Sequence, residues 1–203
     1  MKLEQKTAFG NSHSTFLFKS DTSQQKIDSV VWSAFKSGDR PAFNYIFQKY
    51  VKLLYAYGGK VTKDQNLVED CIQDLFVELW QRRDSLSDVN SIKFYLLKSL
   101  RRGIIRKLSS EKILISQDID TIDSYSEVEY PLESKMIEEQ LSHEQHEKLF
   151  KALSLLSKRQ REAIYLKFYE KISYEQLAEI MNLGIKSAYN IVGKAIETLR
   201  KNI

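Results

Sequence analysis

Seven glycines and two prolines are all that this chain of 203 residues contains. A β-rich fold needs turn chemistry every few residues, so this scarcity excludes a sandwich or barrel and points to helices. A single cysteine, Cys71, excludes an intrachain disulfide and fits a reducing compartment. No run of about 18 apolar residues occurs, so no membrane-spanning helix is expected. The cluster Phe16-Leu17-Phe18, behind Lys2, Glu4 and Lys6, is too brief for the core of a secretory signal. A Gly-rich phosphate loop, a His-Glu-x-x-His pattern and paired cysteines are also missing. His143 and His146 stand three apart beside Glu144 and Glu147, but two ligands on one helix seldom make a metal site alone. The expectation is a cytoplasmic, mostly helical protein with no catalytic residues, no metal and no cofactor.

What the chain does have is charge in blocks. The net charge of +4 hides their distribution. Residues 80–108 hold eight basic and two acidic side chains, and residues 148–203 hold eleven and five. Between them, residues 109–147 hold two basic and eleven acidic side chains. Two basic modules that each meet a polyanion, joined by a segment that does not, account for this pattern.

Periodicity divides the chain in the same places. Residues 1–27 are rich in Ser, Thr, Gln and Lys without sustained period and read as a flexible extension. Residues 28–108 carry four helical patterns. Val30, Val31, Ala34 and Phe35 end at Gly38; Asp39-Arg40-Pro41 then starts a helix whose apolar face is Phe43, Ile46, Phe47, Tyr50, Leu53 and Leu54. Gly58-Gly59 is expected to break it. The third helix, from about 64 to 80, buries Cys71, Ile72, Leu75, Phe76, Leu79 and Trp80. Asp70, Asp74 and Glu78 step along its other side at intervals of four. The fourth, from about 91 to 108, turns Ile92, Leu96, Leu100 and Ile104 inward and Lys93, Lys98, Arg101, Arg102 and Arg106 outward. Residues 109–135, acidic and containing Pro131, form a flexible linker, expected to hold the modules in no one fixed arrangement.

Residues 136–203 form the second helical module, an all-α pattern like the first. Ile137, Leu141, Leu149 and Leu153 mark its first helix. Ser157-Lys-Arg-Gln160 and Ser173-Tyr-Glu-Gln176 are capping boxes, and Ile172 with Leu177 forms a hydrophobic staple. The second capped helix lasts only to Met181. Asn182-Leu183-Gly184 follows, then a long helix from about 185 to 200. A short helix, a tight turn whose Asn tolerates left-handed geometry and a longer helix describe a helix-turn-helix. Its second helix presents Lys186, Ser187, Tyr189, Asn190 and Lys194 to base edges, and Lys158, Arg159 and Lys171 are placed to touch phosphates.

On the fourth helix, Phe94 and Tyr95 stand among Lys93 and Lys98, the mixture of ring and cation that binds single-stranded nucleic acid. Phe94 is expected to be exposed; Tyr95 fits the core and the surface equally. The stripe of Asp70, Asp74 and Glu78 suits a basic protein partner better than a polyanion, though a merely solvated face has the same pattern.

These motifs resemble a known family. Asp39-Arg-Pro-Ala-Phe43 through Tyr50, Glu69-Asp-Cys-Ile-Gln-Asp-Leu-Phe-Val-Glu-Leu-Trp80 and Tyr95-Leu96 are similar to region two of bacterial sigma factors of the extracytoplasmic-function type. Leu156-Ser-Lys-Arg-Gln-Arg-Glu162 and Ile172-Ser-Tyr-Glu-Gln-Leu-Ala-Glu-Ile180 are similar to region four. The resemblance implies a subunit that binds core RNA polymerase and directs it to promoter DNA. It implies docking on a coiled coil of the largest polymerase subunit through the face of Asp70, Gln73, Asp74, Val77 and Glu78. It also implies capture and melting of the −10 element by the segment from Arg82 to Arg106, with Arg83 and Phe94 included. The helix from Lys186 to Lys194 matches the reader of the −35 element, with Tyr174 and Glu175 near the backbone. Arg102 and Arg106 stand where the family often has Asn and Asp, and Ser187, Ala188 and Tyr189 also depart from its common residues. Membrane-tethered anti-sigma factors are common partners in this family. The remaining alternatives are a sigma-derived helix-turn-helix regulator that binds DNA without engaging polymerase, and a helical protein whose basic faces bind another ligand such as RNA.

Overall fold

A computed structural model describes residues 12–115 and 143–203, with side chains over 23–110 and 148–203. The linker from 116, the helical pattern of Ile137 and Leu141, and the side chains of His143 and His146 lie outside what it describes. Every regular element among the described residues is helical.

Four helices make the first bundle: α1 (Ser12–Lys36), α2 (Arg40–Val61), α3 (Gln65–Gln81) and α4 (Ile92–Ile115). Asp39 caps α2 by accepting from the Ala42 N–H at 3.2 Å, with Pro41 in the first turn, and Asp64 caps α3 by accepting from the Leu67 N–H at 3.0 Å. Gly38 turns the chain between α1 and α2 at φ 87°, the left-handed region where an L side chain is strained. Trp32, Phe35, Phe43, Phe76 and Trp80 pack with ring centroids 5.0–6.4 Å apart at the centre of the bundle.

Three boundaries differ from the sequence expectation. The segment read as a flexible extension is helical from Ser12 onward, while residues 1–11 are not described. The C-terminal half of α1 is anchored by long-range bonds. Asp28 accepts from the Ile92 N–H at 2.9 Å and so caps α4, and the Trp32 indole donates to the Ser87 carbonyl at 3.0 Å. Gly58-Gly59 does not break α2, which continues to Val61. Gly58 serves another purpose, because a Cβ there would meet Val68 Cγ1 at 2.4 Å; its bare backbone lets α3 approach. Finally, α4 runs seven residues beyond Leu108 into the segment assigned to the linker.

The second bundle comprises α5 (His143–Ser154), α6 (Lys158–Ile164), a π-helical turn (Tyr165–Tyr169), α7 (Tyr174–Met181) and α8 (Ile185–Asn202). Both capping boxes close with side chain and backbone bonded reciprocally. Asn182 ends α7 at φ 52° and ψ 58°, as the helix-turn-helix reading requires. Ala188, Val192 and Ala195 are the buried residues of α8, where it packs on α5, α6 and α7. In the π turn Phe168 and Tyr169 are both exposed.

The two bundles pack on each other. Residues of α2 meet α6, residues of α4 meet α7, and the buried apolar side chains of both bundles form one continuous cluster. At its polar heart Tyr57 donates to Glu162 at 2.8 Å, and Arg101 donates to the same carboxylate at 2.7 Å.

Candidate nucleic-acid interfaces

The acidic face of α3 forms as the four-residue spacing predicts. Asp70, Gln73, Asp74, Val77 and Glu78 are all exposed, opposite the buried stripe of Cys71, Ile72, Phe76 and Leu79. Val77 leaves an aliphatic side chain 55% exposed among carboxylates, a combination suited to a protein partner rather than to DNA. Two cations border the face: Lys107 of α4 pairs with Asp74 at 2.7 Å, and Arg82 with Glu78 at 2.8 Å. The Asp74 hydrogen bond raises the pKa of Lys107.

The basic helix α4 departs further from expectation. Arg102 and Arg106 are exposed, as read from the sequence. Arg101, expected to face outward, is instead half-buried, its side chain 11% exposed against a Glu162 side chain at 5%. Burial works against its charge, but the hydrogen bond and charge of Glu162 outweigh that and hold the guanidinium above its ordinary pKa. Burial, reinforced by the same carboxylate, pushes the Tyr57 hydroxyl far up. Lys93 donates to the Glu170 backbone carbonyl at 2.6 Å and lies 3.3 Å from its carboxylate, and Lys98 pairs with Glu179 at 2.7 Å. Phe94, expected to be exposed, is half-buried against the core with the Lys98 ammonium 5.5 Å from its ring centre. Tyr95 is half-buried with its ring edge-on to Trp32. Arg83 stacks its guanidinium 4.8 Å above Trp80 and donates to the Trp80 carbonyl, while Arg82 reaches solvent.

On the second bundle the predicted residues converge. A groove of about 610 Å³ opens between the start of α6 and the outer face of α8, lined by Arg159, Gln160, Ser187, Asn190 and Lys194. Lys158 on α6 and Lys186 and Tyr189 on α8 are exposed, and Lys171 is exposed at φ 55° on the loop before α7. Tyr189 is not a loose side chain. Its ring stacks on Tyr174 at 3.8 Å, and the Lys167 ammonium lies 4.3 Å from the Tyr174 ring centre on the same aromatic stack. Glu175, in the first turn of α7, has its carboxyl held below the ordinary value by bonds from its own backbone N–H and from Ser173.

Comparison with known proteins decides what this arrangement belongs to. The sigma-70 region 2 family matches residues 46–113 and the sigma-70 region 4 family matches residues 146–199, together more than half of the chain. The chain belongs to the extracytoplasmic-function sigma factors. It is 25% identical over 157 residues to the ECF RNA polymerase sigma factor SigM of Bacillus subtilis, covering 76% of this chain and 91% of that one. It is 23% identical over 193 residues to the ECF RNA polymerase sigma-E factor of Escherichia coli K12, covering 89% and 96%. In three dimensions it resembles the sigma factor RpoE of Bartonella quintana, solved in complex with the anti-sigma factor NepR. That match has a TM-score of 0.59 and 24% identity, and covers 78% of this chain and 94% of that one.

This sigma factor therefore binds core RNA polymerase and directs promoter-specific initiation, and sigma factors act as initiation factors rather than enzymes. No helix among the described residues is long and apolar enough to cross a membrane. Three residues that pair with the cations of α4 have no role in the sequence reading: Glu162, Glu170 and Glu179. Each sits within a helix or turn amid ordinary neighbours, and only the tertiary approach of α6 and α7 to α4 reveals a partner. Local patterns carry no signal for that approach.

Proposed function

We propose that this sigma factor divides its contacts by face. The acidic face of α3, through Asp70, Gln73, Asp74, Val77 and Glu78, docks on a basic element of core polymerase. The −10 element is captured by Arg82, Arg83, Lys93, Phe94, Lys98, Arg101, Arg102 and Arg106. The −35 element is read by Lys186, Ser187, Tyr189, Asn190 and Lys194, with Lys158, Arg159, Lys171, Tyr174 and Glu175 placed along the backbone. The single observation that carries this reading is the groove between α6 and α8, where base-reading and phosphate-binding candidates, separated by about 30 residues, line one concave surface. The domains follow the same division: residues 28–108 for polymerase and the −10 element, residues 136–203 for the −35 element. The protein works in the cytoplasm without catalysis of its own, and an anti-sigma factor, tethered to the membrane, is its natural inhibitor.

Asp70→Lys with Asp74→Lys tests the docking face. Reversing charge on an exposed face leaves the apolar stripe untouched, so helical content by circular dichroism should stay unchanged while capture of core polymerase falls at least about ten-fold. Undiminished capture would remove α3 as the docking element. It would also revive the reading of the chain as a DNA-binding regulator that does not engage polymerase.

A further inference from the structure

The N-terminal turns of α7 and α8 meet in an aromatic column. Tyr174 opens α7 directly after the Ser173 cap, and Tyr189 lies in the second turn of α8. Their rings stack with centroids 3.8 Å apart and planes 22° apart. Lys167 completes the column: its ammonium lies 4.3 Å from the centre of the Tyr174 ring and donates to the Ile172 carbonyl at 3.1 Å. Ile172 is itself buried, and its N–H donates to the Leu166 carbonyl at 3.0 Å. Tyr174 is therefore fixed by a capped helix end, a cation and a ring, and Tyr189 takes its orientation from Tyr174. Even so, Tyr189 is 49% exposed. A ring covered on one face shows its other face to solvent. Around it on α8, Lys186, Ser187 and Asn190 are exposed and polar. Ile185, one turn earlier on the same side, is exposed and aliphatic. The outer surface of α8 thus joins polar side chains to a rigid apolar patch.

We propose that Tyr189 reads a thymine of the −35 element through its C5-methyl group, and that Tyr174 is the positioning residue that holds the Tyr189 ring for that contact. The proposal rests on the reading of α8 as the −35 reader. In the major groove the polar features of a base edge call for a donor or an acceptor, and the thymine methyl is the one apolar feature on offer. Lys186, Ser187 and Asn190 answer the polar features. The face of a phenol ring offers no such hydrogen bond, so it suits the methyl. A loose tyrosine would lose rotamer freedom at the moment of contact, and stacking on Tyr174 settles that loss in advance. The ring held this way gains contact from a thymine and nothing from a cytosine, which lacks the methyl. This role of Tyr174 comes in addition to its place along the backbone.

The test uses the holoenzyme and a promoter selected from a library randomised over the −35 block. Each thymine of the block, on either strand, is replaced singly by deoxyuridine, which removes the methyl and leaves every hydrogen-bonding group in place. The readout is the ratio of affinities for thymine over deoxyuridine, because a variant that merely weakens the fold lowers both alike. At one position the wild type is expected to show a ratio of about four, the factor for burying one methyl-sized group. Tyr189→Ala and Tyr174→Ala are each expected to abolish that preference. Tyr189→Phe and Tyr174→Phe keep the rings and are expected to preserve it. Tyr189→Ala changes an exposed side chain, which keeps the test valid should Tyr174→Ala fail to fold. A block without an A·T pair, or without a position sensitive to the methyl, overturns the proposal, as does a ratio that survives Tyr189→Ala. Loss of the ratio in either phenylalanine variant assigns the reading to a hydroxyl and overturns it as well. A ratio lost with Tyr189→Ala but kept with Tyr174→Ala overturns the positioning role. Failure of the underlying −35 reading would show separately. Neither Asn190→Ala nor Tyr189→Ala would then change the preference at any −35 position.

Discussion

Gly58 and Cys71 show how much one residue's neighbourhood can hide. The glycine pair looks like helix punctuation, and a turn is the ordinary inference from Gly-Gly in an apolar pattern. The structure needs Gly58 for closeness instead, since a methyl group would overlap Val68 on the facing helix. Gly58→Ala should therefore destabilise the first bundle by about 1–3 kcal/mol despite the better helix propensity of alanine. Urea unfolding would measure the loss, and Val68→Ala in the same chain should restore part of it. Destabilisation unchanged by the second substitution would mean that the clash lies elsewhere. Cys71 was legible from its apolar stripe, and it is buried as expected; burial pushes its thiol up. Little thiolate then forms at neutral pH, so alkylation of the native protein should be far slower than in urea. Equal rates would show that the stripe opens readily.

At the scale of the element, whatever is encoded locally was readable. Caps at Asp39, Ser157 and Ser173, the left-handed Asn182 and the apolar stripe of α3 follow from residue spacing, and all appear. Helix ends were harder. The end of α4 at Ile115 lies inside an acidic, weakly periodic stretch, and propensity alone does not place a boundary there. The groove of the second bundle makes the element-scale prediction. Asn190 lies on its wall, and Lys158 is exposed at the start of α6, next to Arg159 of the groove. Asn190→Ala should cost about 1–3 kcal/mol at one −35 position and relax the preference there. Lys158→Ala should weaken all promoters alike and lower the salt dependence by about one ion. Holoenzyme binding across a library of −35 sequences at two salt concentrations separates these outcomes. A uniform loss from Asn190→Ala would move the recognition surface off that wall.

The whole molecule is where sequence reasoning stopped. Charge blocks divide the chain into two basic modules around an acidic segment, and the family resemblance follows from motifs inside each. The way the modules pack could not be read, because a surface arginine and a buried one look the same in a helical pattern. Arg101 is the clearest case: with Arg102 and Arg106 it reads as one exposed cationic face, yet it alone turns toward Glu162. On the proposed division of faces, the docking face and the two DNA faces act together only on polymerase. Reconstituted transcription with purified core enzyme and this protein, over a library randomised around both promoter elements, tests that most directly. The account predicts transcripts whose start sites depend on added protein and whose promoters share two constrained sequence blocks, one lost with Asn190→Ala and the other altered by Arg102→Ala with Arg106→Ala. DNA binding by the protein with no dependent transcript from any library member would contradict it.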